Sequence, residues 1–352
     1  MDTTNAPQMI EHLNKSISFT PFETKWIPKT AKFVAGGETP KRTGILQIYQ
    51  LNKTELTMTK EFSLDKGVKS MSFGLGNNLL TLGDFGGTLT VLDLEKFKPA
   101  FTVKAHDAII NGLDALGGAA TDFGASEIVT GSRDGSVRVW DPRTNAPVLS
   151  LEPVEKDPNP ECWCVGFGNS FADDERMIIA GYDNGDVKLF NMKTNMLEWE
   201  TNLQNGVCGI EFDRKDILMN KAVASTLEGK FHVFDLRTFN AVDGYTSLFE
   251  KTNSGTVWGI KHLPQNRDIL LVQGGNGHGY LYKYNYPPQR AIETTEGRKR
   301  GVVGAVELLN EKEFSSQPIS SYDWSKEKIG LGVFSTLDQN IRVSIITKLN
   351  LY

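Results

Sequence analysis

The sequence predicts an all-β fold: a seven-bladed β-propeller, with the ring closed by an N-terminal strand that pairs into the last blade. Three observations predict it. A hairpin unit recurs along the 352 residues at intervals of 43 to 60. Nearly every copy carries a glycine at a matched place beside its turn. A lone strand precedes the first copy, and the last copy ends without a fourth strand.

The clearest unit is Ile128-Val-Thr-Gly-Ser-Arg-Asp-Gly-Ser-Val-Arg-Val-Trp140-Asp141: an apolar run, a tight Asp134-Gly135 turn and an alternating strand. Asp-Gly between two such runs favours a hairpin, because the tight turn needs positive φ. Aligned on the first inward apolar residue after the turn, the copies fall at Leu46, Leu89, Val137, Val187, Phe231, Leu281 and Ile341. Two residues earlier stand Gly44, Gly87, Gly135, Gly185, Gly229 and Gly279, with Gln339 in the last copy. Three residues later come Tyr49, Leu92, Trp140, Phe190, Phe234, Tyr284 and finally Ser344.

A second register precedes each hairpin and reads apolar-x-x-apolar-x-apolar. It is met at Val68/Met71/Phe73, Ile110/Leu113/Ala115, Cys162/Val165/Phe167, Val207/Ile210/Phe212, Val257/Ile260/His262 and Ile319/Tyr322/Trp324, and in degenerate form between Phe22 and Trp26. Its last three positions alternate as a half-buried strand does. A fourth strand follows most copies, as at residues 55–62 and 305–309. The expected blades are 17–62, 66–104, 108–152, 160–201, 205–250, 255–315, and 317–348 joined by 8–14. Units of this length ending in Trp-Asp mark the WD-repeat type. Length alone suggests about two domains, and the repeat replaces them with one ring of 1–352.

Composition excludes several classes. At 39% hydrophobic and 23% charged residues the chain is neither a disordered acidic tail nor a membrane protein. Forty-three acids against 38 bases leave a net charge of −5, so no basic field for nucleic acid or anionic lipid is expected. Three cysteines, two of them one residue apart, disfavour a disulfide framework and point to a reducing compartment. The N-terminus lacks the features of a signal peptide, and a soluble cytosolic or nuclear protein is expected.

Candidate chemistry is sparse. His106, Thr130, Asp134 and Trp140 match the structural tetrad of many WD repeats, a hydrogen-bonded chain that fixes a blade rather than a catalytic relay. The run at residues 274–279 is glycine-rich but opens no helix, so it reads as a hairpin turn and not a phosphate loop. Cys162 and Cys164 have no partner pair at zinc spacing, and His12, His106, His232, His262 and His278 are scattered, so neither metal nor any other cofactor is expected. Ser132-Arg-Asp134-Gly135 lacks the spacing of a sialidase box, and no carboxylate pair for hydrolysis is evident. The acidic run Asp173-Asp174-Glu175 reads as a solvated turn. The basic run Arg298-Lys299-Arg300, in the longest insertion, is a candidate docking loop. Turns between the second and third strands should present Phe85, Arg133, Tyr182, Leu227 and Leu337 around the channel mouth as protein-binding anchors.

Further motifs lie outside the generic repeat: Gly83-Asp-Phe-Gly-Gly87, Ala180-Gly-Tyr-Asp-Asn-Gly-Asp186, Asn205-Gly-Val-Cys208, Glu211-Phe-Asp-Arg-Lys-Asp216, Leu227-Glu-Gly-Lys-Phe-His-Val-Phe-Asp235, His262-Leu-Pro-Gln-Asn-Arg267, Gln317-Pro-Ile-Ser-Ser321 and Thr347-Lys-Leu-Asn350. In these the chain resembles, over essentially its whole length, the Monad family of WD-repeat dynein axonemal assembly factors. Tyr282 and Tyr284 depart from it, standing where the family tends to have Trp and Tyr. The resemblance implies a non-enzymatic adaptor in the cytoplasm, with the cilium or axoneme as a second location. Its implied partners are a co-chaperone complex of RuvB-like ATPases, a heat-shock chaperone, a prefoldin-like module and axonemal dynein chains as clients. Two rivals remain at this point: a propeller that reads short charged peptides, such as a histone tail or phosphopeptide, and a propeller hydrolase.

Overall fold

The computed structural model describes residues 6–117, 125–153, 159–171, 175–295 and 297–352. Strand β1 (Met9–Ser16) comes first, and every four-stranded sheet after it is built from antiparallel neighbours. The first sheet holds β2 (Thr20–Trp26), β3 (Lys32–Glu38), β4 (Gly44–Leu51) and β5 (Leu56–Leu64). The second holds β6 (Val68–Ser72), β7 (Leu79–Asp84), β8 (Thr88–Asp93) and β9 (Lys98–Lys104). The third holds β10 (Ile110–Leu116), β11 (Glu127–Ser132), β12 (Val137–Trp140) and β13 (Pro147–Leu151). The fourth holds β14 (Cys162–Gly168), β15 (Met177–Tyr182), β16 (Asp186–Asn191) and β17 (Met196–Asn202). The fifth holds β18 (Val207–Phe212), β19 (Lys221–Thr226), β20 (Lys230–Asn240) and β21 (Gly244–Lys251).

The sixth sheet begins with β22 (Val257–Leu263), β23 (Asn266–Gly274) and β24 (His278–Asn285). The chain then forms a small hairpin of β25 (Ala291–Glu293) and β26 (Lys299–Gly301) before β27 (Ala305–Glu313) completes the sheet. In the seventh, β28 (Ile319–Trp324), β29 (Leu331–Thr336) and β30 (Asn340–Ile346) are joined by β1, whose register runs from Met9 opposite Ile346 to Ser16 opposite Asn340. The fold is therefore the seven-bladed ring that the repeat predicts, closed by its N-terminal strand. Pairing the two chain ends covers an edge that would otherwise expose unpaired backbone groups.

The core lies between blades. Seven apolar clusters each draw on two neighbouring sheets, and the ring needs all of them. Val34, Leu46 and Ile48 pack with Met71, Leu80 and Leu82 between the first and second sheets, while Val333, Ile341 and Val343 pack with Phe33, Ala35 and Tyr49 between the last and the first. The remaining five clusters fill the other junctions. Alternation puts apolar side chains of the middle strands on both faces, which is why those strands read as nearly continuous buried runs.

The repeat register needs one correction. Gly87, Gly135, Gly185 and Gly229 adopt the left-handed φ that the turn requires, but Gly44 and Gly279 lie within strands β4 and β24. In those two blades the left-handed turn residues are Arg42 (φ 65) and Gly277 (φ 79). Pairing of Gln273 with Gly279, like that of Gly131 with Val137, shifts the sixth copy by two residues and puts Tyr282 where the third has Trp140. In the last copy Gln339 takes the left-handed place itself, at φ 60.

The long insertion is not a free loop. Its hairpin leans on the fifth sheet, where the Asn240 side-chain amide donates to the Lys299 carbonyl and the Thr246 hydroxyl to that of Gly301. Its root is held by Arg290, 2.6 Å from the buried Asp235 carboxylate, and by the Tyr286 hydroxyl beside Lys221.

Candidate protein-binding channel mouth

All seven innermost strands carry the same irregularity. Their registers shift between Pro21 and Glu23, Val68 and Ser70, Ile110 and Gly112, Cys162 and Cys164, Val207 and Gly209, Val257 and Gly259, and Ile319 and Ser321. A bulge inserts one residue without a cross-strand partner and turns its side chain out of the regular alternation. The seven extra residues are Phe22, Lys69, Asn111, Trp163, Cys208, Trp258 and Ser320, and all line one cavity of about 460 Å³ at one mouth of the central channel.

That mouth combines aromatic side chains with Glu23, Lys25, Lys69 and Lys261. Trp258 is 42% exposed and Leu337 38%. Trp163 is oriented from behind: its indole N–H donates to Glu161 Oε2 at 3.1 Å, and Arg133 Nε donates to Glu161 Oε1 at 2.8 Å. Phe22 packs on Phe85 with ring centroids 5.2 Å apart. The Lys69 ammonium lies 5.3 Å from the Phe22 ring centre and has no ion pair among the described residues. Burial pulls its pKa below the usual lysine value, with Glu23 opposing. Burial pushes the Cys208 thiol up to about 12, the nearby Lys69 offsetting part of that rise.

Deeper in the channel several charges are engaged across blades. Asp323 accepts the backbone N–H of Trp26 at 2.8 Å, Asp114 that of Phe167 at 3.0 Å, and Glu211 that of His262 at 2.9 Å. Each carboxylate thus caps a backbone donor of the next blade. Lys215 reaches Asp114 at 2.5 Å and Lys261 reaches Glu211 at 2.6 Å, while Lys25 pairs with Glu23 at 2.9 Å. Burial alone would raise the Glu211 carboxyl, but Lys261 and the His262 hydrogen bond hold it well below the usual range. Burial keeps His262 below its ordinary value even against Glu211. Buried charges persist only when paired and hydrogen-bonded in this way.

The tetrad closes as a chain. His106 Nε2 lies 2.8 Å from Thr130 Oγ1, which accepts the Trp140 indole N–H at 3.0 Å, and His106 Nδ1 lies 3.1 Å from Asp134. Burial works to raise the Asp134 carboxyl, yet hydrogen bonds from His106 and Ser136 hold it well below the carboxylate range. The chain ends on an indole, so it has nothing to activate. The hydroxyls near the mouth are likewise tied to each other: Ser320 and Ser321 lie 2.8 and 2.9 Å from Ser335. Cys162, Cys164 and Cys208 are free thiols, burial raising the first two strongly. Among the described residues no cluster of His, Cys, Asp or Glu is placed to hold a metal ion, and no helix is long and apolar enough to cross a membrane.

Of the five residues expected at the mouth, Leu337 lines it. Phe85 and Arg133 stand one layer back, bracing Phe22 and Trp163. Leu227 lies beside Gly206, which Trp163 also flanks. Tyr182 is a correction: at 5% exposure it belongs to the core between the third and fourth blades, because strand β15 directs it inward against Cys162 and Val165. Arg300 meets Asp243 at 3.3 Å on the exposed hairpin. Residues 173 and 174 of the acidic run lie outside the described residues. The bulge ring went unread, although its signal was present: apolar residues at spacings of three and then two do not fit a regular strand and require one extra residue.

Comparison with known proteins decides the lineage. The chain is 49% identical to dynein axonemal assembly factor 10 of Chlamydomonas reinhardtii over 99% of both chains, and 49% identical to that of Homo sapiens over the same shares. The chain belongs to this family. The Danio rerio member is 50% identical over 98% of each chain, and the Dictyostelium discoideum member is 23% identical over 95% and 94%. Residues 97–141, which include the tetrad blade's inner three strands, match the WD domain, G-beta repeat family.

Proposed function

We propose that the protein is a non-enzymatic adaptor in the cytoplasmic pre-assembly of axonemal dynein arms. In this reading it links a co-chaperone complex of RuvB-like ATPases and a prefoldin-like module to dynein chains. End-to-end similarity to the dynein axonemal assembly factors carries the proposal. The co-chaperone partners rest on the resemblance in motifs such as His262-Leu-Pro-Gln-Asn-Arg267. A ring whose mouth sets the exposed Trp258 beside the half-buried Phe22 and Trp163 is suited to holding proteins. The tetrad of His106, Thr130, Asp134 and Trp140 then serves as a blade staple. Phe22, Trp163, Trp258 and Leu337 form the main contact, braced by Phe85, Arg133 and Leu227, and the hairpin of Arg298, Lys299 and Arg300 forms an auxiliary one. A phosphopeptide-reading alternative is disfavoured because the mouth offers Lys69 and no arginine fork.

The test is affinity purification from cells building cilia, comparing the wild type with a Trp163→Ala/Trp258→Ala variant. The wild type should recover dynein chains and RuvB-like ATPases, and the variant should recover markedly less of at least one of them while keeping its melting temperature. Equal recovery would remove the mouth from the contact. Absence of both partners from the wild-type sample would remove the adaptor reading.

A further inference from the structure

We propose that the channel mouth binds a linear peptide segment that inserts an aromatic or long aliphatic side chain between Trp163 and Trp258 and places an adjacent Asp or Glu carboxylate on Lys69. The inference deepens the adaptor reading by naming the chemistry of the bound segment.

Two observations carry it. The ring presents Phe22, Trp163, Trp258 and Leu337 around one concave cavity, a shape that buries a large side chain rather than a flat surface. Trp163 is held in place by the Arg133–Glu161 pair, so little side-chain entropy is lost when it is covered. Within that wall several polar groups are already engaged. Asn111 donates to the Cys162 carbonyl, Ser320 to that of Pro21, and Lys25 and Lys261 are paired with Glu23 and Glu211. Lys69 alone among the lining cations has no carboxylate partner among the described residues, and it stands next to Phe22 at the entrance. A ligand carboxylate would supply the missing partner in surroundings where water competes poorly. One compact ammonium suits one carboxylate; the dianionic phosphate of a phosphopeptide would need further donors that the mouth does not offer. A basic segment would face Lys69 unfavourably and find Glu23 and Glu211 already occupied.

A library of random dodecapeptides displayed on phage, selected on the purified full chain, tests this without knowledge of the natural partner. Enriched sequences are expected to carry Trp, Phe or Leu within two positions of Asp or Glu. The leading sequence, made as a fluorescein-labelled peptide, should lose about tenfold or more in affinity for Lys69→Glu and for Trp258→Ala. Lys69→Arg should bind within a few-fold of the wild type, and Met196→Ser, on the outermost strand of the fourth blade, should bind like the wild type. Melting curves of each variant identify any that fail to fold, and Lys69→Arg keeps the charge question open to measurement if Trp258→Ala is unstable.

Enrichment of basic peptides, a gain of affinity on phosphorylating a Ser beside the anchor that exceeds the gain from Asp, or equal binding to Lys69→Glu would each overturn the proposal, as would no enrichment at all. Peptide binding that survives while cells show no recovery of dynein chains or RuvB-like ATPases would sink the adaptor reading and leave this site standing. The reverse pattern would sink the site alone.

Discussion

The Thr130 hydroxyl is the knot of the tetrad, accepting the Trp140 indole N–H, lying against His106 and donating to the Arg138 carbonyl. Thr130→Val keeps the volume and removes the knot, leaving buried polar groups unsatisfied at ~1–3 kcal/mol each. The variant should melt several degrees lower than the wild type by differential scanning calorimetry, with the β-sheet circular dichroism unchanged at low temperature. An unchanged melting point would mean that the chain has other ways to satisfy these groups. His232 provides a pH handle. Burial, reinforced by Lys230 and opposed by Glu228, lowers its folded-state pKa to about 4, below the ordinary value near 6.5. The unfolded chain therefore binds more protons between those values, and stability falls as pH drops from about 6.5 towards 4. Urea unfolding of His232→Phe should show a shallower loss over that window than the wild type. Parallel curves would contradict the assigned shift.

Among the elements, β1 does most for its length. It has no sheet of its own and contributes Met9 to the core between the sixth and seventh blades. Deletion of residues 1–14 removes most of the pairing with β30 and opens the ring there. We expect a lower unfolding midpoint and faster proteolysis within the last blade; an unaltered midpoint by chemical denaturation would refute the closing role. The innermost strands depend on a different device. Their shared bulge lets the residues after it alternate into the cores between blades while the extra residue faces the channel, so one irregularity serves both packing and the mouth. The shift of two residues in the first and sixth copies has a local cause as well. Arg42 and Gly277 provide the left-handed turn positions there, so the nearby Gly44 and Gly279 are strand residues whose missing side chains permit close packing.

At the scale of the whole molecule, stability is a sum of similar junctions closed into a circle, and no single blade buries its own apolar faces. Strand number, hairpin turns, the tetrad and the closing strand were legible because each is written in local periodicity: alternation at two, a glycine at a turn, a unit returning every 40 to 60 residues. Tyr182 was misplaced for the same reason. It stands one residue before the place of Phe85, whose counterpart two residues ahead of the left-handed Gly185 is Asp183, and a one-residue step along a strand turns a side chain to the opposite face, here into the core between blades. The mouth was harder still. Phe22 and Ser320 are separated by nearly the entire chain, and only ring closure makes them neighbours of Lys69, Trp163 and Trp258. The capping of one blade's backbone by the next blade's Asp114, Glu211 or Asp323 is equally invisible in one dimension. Repetition along the chain suffices to specify a seven-bladed ring, since every blade obeys the same short-range rules. Which side chains meet in its channel, and which charges find partners there, follows from long-range juxtaposition, because burial and pairing depend on neighbours that folding alone brings together.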